Sequence, residues 1–190
     1  MPPKAKYTKE QIVEVAYQMV RQQGKDSLTA RGIAAALETS TAPIFTVFHS
    51  IDELQQCVFE KAAERYRAYI QEGLSQPMGF KGSGLKYIQF AKDEPELFKL
   101  LCMQEDSRGV THFLPEREPH TPQILQTITD NYGLQSEQAR QLYNHLSIYT
   151  HGLAVLYANK QCIFTMEDVS RLLSQLYRAL RKEIDDENNH

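Results

Sequence analysis

Helix-start signals recur along this chain, each followed by apolar residues at helical spacing, and this pattern restricts the fold more than any other feature. Thr8-Lys9-Glu10-Gln11, Ser50-Ile51-Asp52-Glu53 and Thr165-Met166-Glu167-Asp168 each set a hydroxyl three residues ahead of an acid or amide. The two side chains can then satisfy free N–H groups of a first helical turn. Ile12, Val15, Ala16, Met19 and Val20 follow the first signal and Gly24 stops the helix. Thr29 is expected to cap a short second helix carrying Ile33, Ala34 and Leu37. Ser40 is expected to cap a third, with Pro43 in its first turn, where a missing N–H costs little; Ile44, Val47 and Phe48 give it an inward face. A long helix runs from Ser50 through Leu54, Val58, Ala62, Tyr66, Tyr69 and Ile70. Gly73, Pro77, Gly79, Gly82 and Gly84 then punctuate residues 73–84. Further helices are expected over Leu85–Lys92, from Pro95 to Met103, and at about Pro122–Tyr132, Ser136–Asn159 and Met166–Ile184. No stretch alternates with the period of a strand. The expected fold is all-α, about nine helices, with a three-helix head on a larger helical body.

Composition narrows the functional classes. The chain has 190 residues, 42% of them hydrophobic and 24% charged, as in an ordinary globular protein. No apolar run approaches the roughly 20 residues that span a bilayer. Met1-Pro2-Pro3-Lys4-Ala5-Lys6 is basic with no apolar stretch behind it, so no signal peptide is read and the expected location is cytoplasmic. Cys57, Cys102 and Cys162 are odd in number and widely spaced, which argues against a disulfide framework and a structural zinc site. The six histidines offer no i,i+4 ligand pair, and GxSxG, GxGxxG, P-loop and HExxH patterns are absent. No enzyme, cofactor or metal is expected. Net charge is −3, but residues 1–36 carry six Lys/Arg against three Asp/Glu, a local +3.

A cap, a short helix, a second cap and a second short helix within residues 29–48 make a helix-turn-helix candidate, in which the second helix offers its first turn to base edges in the major groove. The run Leu28-Thr29-Ala30-Arg31-Gly32-Ile33-Ala34-Ala35-Ala36-Leu37, then Ser40-Thr41-Ala42-Pro43-Ile44-Phe45-Thr46-Val47-Phe48, then Glu53-Leu54 resembles the TetR family of bacterial transcriptional regulators over about residues 8–60. Tyr87-Ile88-Gln89-Phe90-Ala91 with Pro95-Glu96-Leu97-Phe98, and Tyr149-Thr150-His151-Gly152, are similar to segments of that family's C-terminal domains, the latter to its His-Gly subgroup. The resemblance implies a DNA-binding head over 1–55 and a ligand-binding and dimerisation domain over 56–190. Three positions depart from the pattern. Glu38 stands where the turn usually has Gly, which strains the turn. Phe45 replaces a phosphate-binding Tyr and Ile51 replaces a Lys, removing two backbone contacts and so weakening binding and its salt dependence.

On this resemblance Thr41, Ala42, Pro43 and Thr46 meet bases. They are short and uncharged, suited to thymine methyls and hydroxyl contacts rather than bidentate guanine readout. Arg31 reaches a base or phosphate or is a solvated surface charge. Ser27, Thr29, Ser40 and His49 are phosphate candidates, with Thr29 and Ser40 read as helix caps in either case. Phe45 is included in the DNA-binding set, and Phe48 is core. Lys4, Lys6 and Lys9 are either an arm along DNA or a solvated tail.

In the body Tyr87, Phe90, Phe98, Met103, Phe113, Tyr149 and His151 are the expected pocket residues, with His112 and Tyr143 as further candidates. Each also reads as core, and His151 beside Gly152 reads first as a core histidine. Hydroxyls and imidazoles among aromatics point to a largely apolar effector with a few polar anchors. The last two helices carry broad apolar stripes, Leu142, Leu146, Tyr149, Leu153, Leu156 and Tyr157, then Val169, Leu172, Leu173, Leu176, Tyr177 and Leu180; a second apolar face implies a partner. The resemblance makes that partner a second copy and the target a palindromic double-stranded operator. The expected function is therefore a ligand-responsive regulator, a repressor released by a small molecule. The other reading is a TetR-fold interaction protein whose head has lost specific DNA binding.

Overall fold

The structure, a computed structural model, describes residues 7–103 and 119–187. Among them are nine α-helices and no strand: α1 Lys9–Gln23, α2 Ala30–Ala36, α3 Ala42–Phe45, α4 Ile51–Leu74, α5 Gly79–Asp93, α6 Pro95–Cys102, α7 Thr121–Tyr132, α8 Ser136–Ala158 and α9 Met166–Glu187. The all-α expectation with about nine helices holds. Contacts group the described residues into two compact units. The first runs to Arg65 and resumes at Glu94 to take in α6; the second comprises Tyr66–Asp93 and the residues from 119 onward.

In the first unit α1 packs against α2 and α6. The capping box at its start is complete: Gln11 N donates to Thr8 Oγ1 at 3.2 Å and Thr8 N to Gln11 Oε1 at 2.9 Å. Gly24 closes the helix at φ +85°, and Lys25–Ser27 form one 3-10 turn. Ile12, Ala16, Val20, Ile33, Ile44, Phe48, Leu54, Val58, Leu97 and Phe98 are buried, so the 3.6-residue spacing in each helix turns one apolar stripe inward. Ser50 caps α4 by accepting from Glu53 N at 3.2 Å. The Glu53 carboxylate, however, reaches past Ser50 to accept from His49 N at 2.9 Å and from Lys9 Nζ at 2.9 Å. Lys9 is thereby tied to α4.

In the second unit α8 packs against α5, α7 and α9. One buried cluster joins Ile124, Ile128, Leu134, Ala139, Leu142, Tyr143, Leu146 and Ile184. The Thr165–Asp168 signal is real: Asp168 N donates to Thr165 Oγ1 and Thr165 N to Asp168 Oδ2, both at 3.1 Å. The start of α5 corrects the sequence reading, which placed it at Leu85. The helix begins at Gly79 and passes through Gly82 and Gly84. A Cβ on Gly73 would lie 2.5 Å from the Gly82 carbonyl oxygen; these glycines allow two helices to approach rather than break one.

Candidate functional site: the helix-turn-helix and an aromatic cavity

The turn between α2 and α3 is built from three hydrogen bonds. Leu37 N donates to Ile33 O at 3.0 Å, Glu38 N to Ala35 O at 3.0 Å and Thr39 N to Ala34 O at 2.9 Å. The last two form a Schellman motif, which needs a left-handed residue just past the helix. That residue is Glu38, at φ +51°. Its side chain is exposed, so the strain of a Cβ there is not offset by packing. Glu38→Gly is expected to stabilise the protein by about 0.5–1 kcal/mol, the left-handed penalty less the chain entropy of glycine. A thermal melt checks this, and a lowered midpoint would contradict it.

Thr29 caps α2, its Oγ1 accepting from Gly32 N at 3.0 Å. Ser40 does not cap α3. Thr41 occupies the cap position in an αR conformation and no side chain bonds the first turn, because the chain enters α3 already helical instead of extended. Ser27 Oγ donates to Gly24 O and Thr46 Oγ1 to Pro43 O, both at 2.7 Å. Arg31, Ser40, Ala42, Phe45, Thr46 and His49 are exposed; Thr41 and Pro43 are half-buried. Phe45 is 48% exposed while Phe48 is 1% exposed, so only Phe48 serves the core. Tyr7 OH donates to Leu37 O at 2.6 Å, fixing the start of the described chain against the turn.

The second unit holds a half-open cavity of about 280 Å³. Tyr66 and Ile70 of α4 border it, with Phe80, Ser83 and Tyr87 of α5 and Ile124 and Tyr132 of α7. From α8 come Tyr143, Leu146, Ser147 and Thr150, and from α9 Leu173, Ser174 and Tyr177. Lys81 and Arg178 complete the polar lining. The rings meet edge-on, as their quadrupoles favour: Tyr66–Tyr87 at 6.0 Å and Tyr66–Phe90 at 5.4 Å. Tyr132 and Tyr177 lie 5.2 Å apart, tilted. Tyr143 OH and Thr121 Oγ1 share a buried hydrogen bond of 3.1 Å.

Tyr87 OH lies 2.8 Å from His151 Nδ1. Burial pushes the His151 imidazole down from 6.5 to about 4, so it is neutral at pH 7. Between those values the unfolded chain binds a proton that the folded chain refuses. The stability His151 contributes is therefore full above pH 6.5 and is lost as pH falls toward 4. Urea midpoints for wild type and His151→Gln are expected to converge over that window; a difference independent of pH would argue against a buried neutral imidazole.

No family model matches the chain, and no curated protein does. Among solved structures it is similar to a TetR-like transcriptional regulator from Rhodococcus sp. RHA1, with a TM-score of 0.63 and 16% identity over 93% of this chain and 96% of that one. The chain has the TetR-like fold. Within this TetR-like fold the sequence candidates separate. The structure gathers Thr29, Arg31, Ser40–Pro43, Phe45, Thr46 and His49 on the helix-turn-helix and the loops that flank it. Of the pocket candidates, Tyr87 and Tyr143 border the cavity. His151 does not, but it bonds Tyr87. Phe90 is fully buried behind Tyr66, Phe98 and Met103 belong to the first unit, and Tyr149 is exposed on α8. Phe113 and His112 lie outside the described residues, as do Lys4 and Lys6. Tyr66, Ile70, Tyr132 and Tyr177 were not among the pocket candidates. Their inward positions were legible from helical spacing, but which inward side chains leave a gap depends on how helices pack.

Proposed function

We propose that this chain is a ligand-responsive transcriptional regulator that binds a palindromic operator as a homodimer and, acting as a repressor, leaves it when a small molecule fills the cavity. The observation that carries this reading is the helix-turn-helix, whose outer residues Arg31, Ser40, Ala42, Thr46 and His49 are exposed on a TetR-like fold. Arg31 and the hydroxyls of Ser40 and Thr41 suit phosphates and base edges, while Ala42 and Pro43 suit thymine methyls. The ligand acts by binding better to a state whose two heads are wrongly spaced, so DNA affinity falls by linkage.

The dimer is supported by a second apolar face. In α8, Leu142, Leu146 and Leu153 are buried, while Ile148 at 64%, Tyr149 and Leu156 are exposed; Ile163 and Phe164, between α8 and α9, are exposed as well. Such a surface marks an interaction site, and two-fold pairing through α8 and α9 sets two recognition helices one DNA turn apart. Sedimentation is expected to give a dimer at micromolar concentration and a monomer for Ile148→Asp/Leu156→Asp. An unchanged dimer would place the interface elsewhere.

The deciding experiment is footprinting on fragments upstream of this gene and its neighbours across a salt series. A two-fold symmetric protected site, weakened by Arg31→Ala and by rising salt, is expected. Equal affinity for all fragments at every salt would favour a TetR-fold interaction protein, the reading that Phe45 and Ile51 motivate.

A further inference from the structure

We propose that the cavity of the second unit takes an apolar molecule bearing a single anionic head of carboxylate type, held by Lys81 and Arg178. The proposal rests on the reading of that cavity as the effector site and adds the charge of the effector.

Among the described residues five tyrosines, four aliphatic side chains, Phe80 and Met78 dominate the lining, which holds no aspartate or glutamate but includes both cations. Lys81 projects from α5 and is half-buried; Arg178 projects from α9 and is exposed. Neither makes an ion pair or hydrogen bond with another described residue. Four other cations of the unit are matched: Lys86 with Glu72, Arg140 with Glu137, Arg171 with Asp168 and Arg181 with Asp185; Arg67, Lys92, Lys160 and Lys182 are exposed and do not border the cavity. Two unmatched cations beside an apolar hollow favour an anion and disfavour a cation of the same shape. Hydroxyls supply further donors. The Ser147 and Thr150 hydroxyls, one turn apart on α8, make no hydrogen bond with another described residue, and Thr150 is buried. Burial raises the Tyr132 and Tyr177 phenols, so both remain protonated donors at neutral pH. The volume of about 280 Å³ lies just under the roughly 300–1,000 Å³ of pockets for drug-sized ligands. A body of one or two fused rings, or a short acyl chain, fits that space.

The test uses three probes of one body and different head: 2-naphthoate, 2-naphthamide and 2-naphthylmethylammonium, titrated by calorimetry into the full chain without DNA. Naphthoate is expected to bind about tenfold more tightly than the amide, the margin of a charge-assisted over a neutral hydrogen bond, with the ammonium weakest. Lys81→Met/Arg178→Met is expected to bring naphthoate down to the amide's affinity and leave the amide unchanged, while Lys81→Arg/Arg178→Lys retains the preference. Equal affinity for naphthoate and amide, a preference for the ammonium, or no binding by any probe overturns the proposal. If the methionine variant does not fold, the wild-type series alone decides. Anion-selective binding without release of DNA would sink the regulatory reading and leave this one standing.

Discussion

Gly82→Ala is expected to lower stability by about 1–2 kcal/mol, although alanine is the better helix former. Glycine inside a helix costs about 1 kcal/mol relative to alanine, and Gly82 sits within α5, so propensity alone predicts a gain. Packing reverses the sign. A Cβ on Gly82 would overlap the Gly73 carbonyl oxygen of α4 and meet Gln76 Oε1 at 3.0 Å. The first obstacle is backbone and cannot rotate away. The helices must separate, opening the contact that seats Ser83 and Tyr87 at the cavity, and overpacking of this kind costs about 1–3 kcal/mol before any cavity forms. Gly84→Ala is the control. Its nearest neighbours are Thr150 atoms at 3.8 and 4.0 Å, an ordinary contact, so it should be neutral or mildly stabilising. Urea denaturation of the three proteins decides the matter. A Gly82→Ala midpoint at or above that of wild type would mean that α4 and α5 are not held this closely.

The same glycines explain what the sequence could and could not disclose. Where a local rule decides the structure, the residues state it. Thr8 with Gln11 and Thr165 with Asp168 form the boxes that their spacing announces, Pro95 opens α6, and Gly24 ends α1. Where a distant neighbour decides, local rules misdirect. Gly79, Gly82 and Gly84 look like helix breakers because glycine is a poor helix former, yet Gly73 requires the missing Cβ at Gly82. Ser40 looks like a cap, but the αR conformation at Thr41 leaves it outside the turn. Glu38 was legible as a strained turn residue because its fault is local, a Cβ in a left-handed position. The cavity was the least legible feature. Helical spacing turns Tyr87, Phe90 and Tyr143 all inward, but only packing decides that Phe90 fills space and the two tyrosines border it. Arg21 and Glu94 were not singled out at all, since a pair 73 residues apart leaves no periodic trace.

That pair carries the other large expected effect. Glu94 precedes the first residue of α6, and its carboxylate is only 2% exposed. Arg21, in the last turn of α1, grips it twice, Nε to Oε2 at 2.5 Å and Nη2 to Oε1 at 2.7 Å. Arg65 of α4 adds a contact from Nη2 at 3.4 Å. A carboxylate buried to this degree has lost its water and depends on these donors. Arg21→Ala removes the bidentate grip and leaves one long contact, which is expected to cost about 2–3 kcal/mol. This lies below the roughly 3–5 kcal/mol of fully buried pairs, because Arg21 itself is 42% exposed and its field is screened. Glu94→Gln should cost less, about 1 kcal/mol, since a neutral amide is cheaper to bury and the released arginine can turn toward water. The order of the two single variants is thus the diagnostic. Arg21→Ala/Glu94→Gln should fall short of the sum of the singles, because once the charge is gone the missing arginine matters little. Denaturant midpoints for the four proteins measure this coupling. Strict additivity, or a larger loss for Glu94→Gln than for Arg21→Ala, would show that the stranded charge is not what makes the arginine necessary.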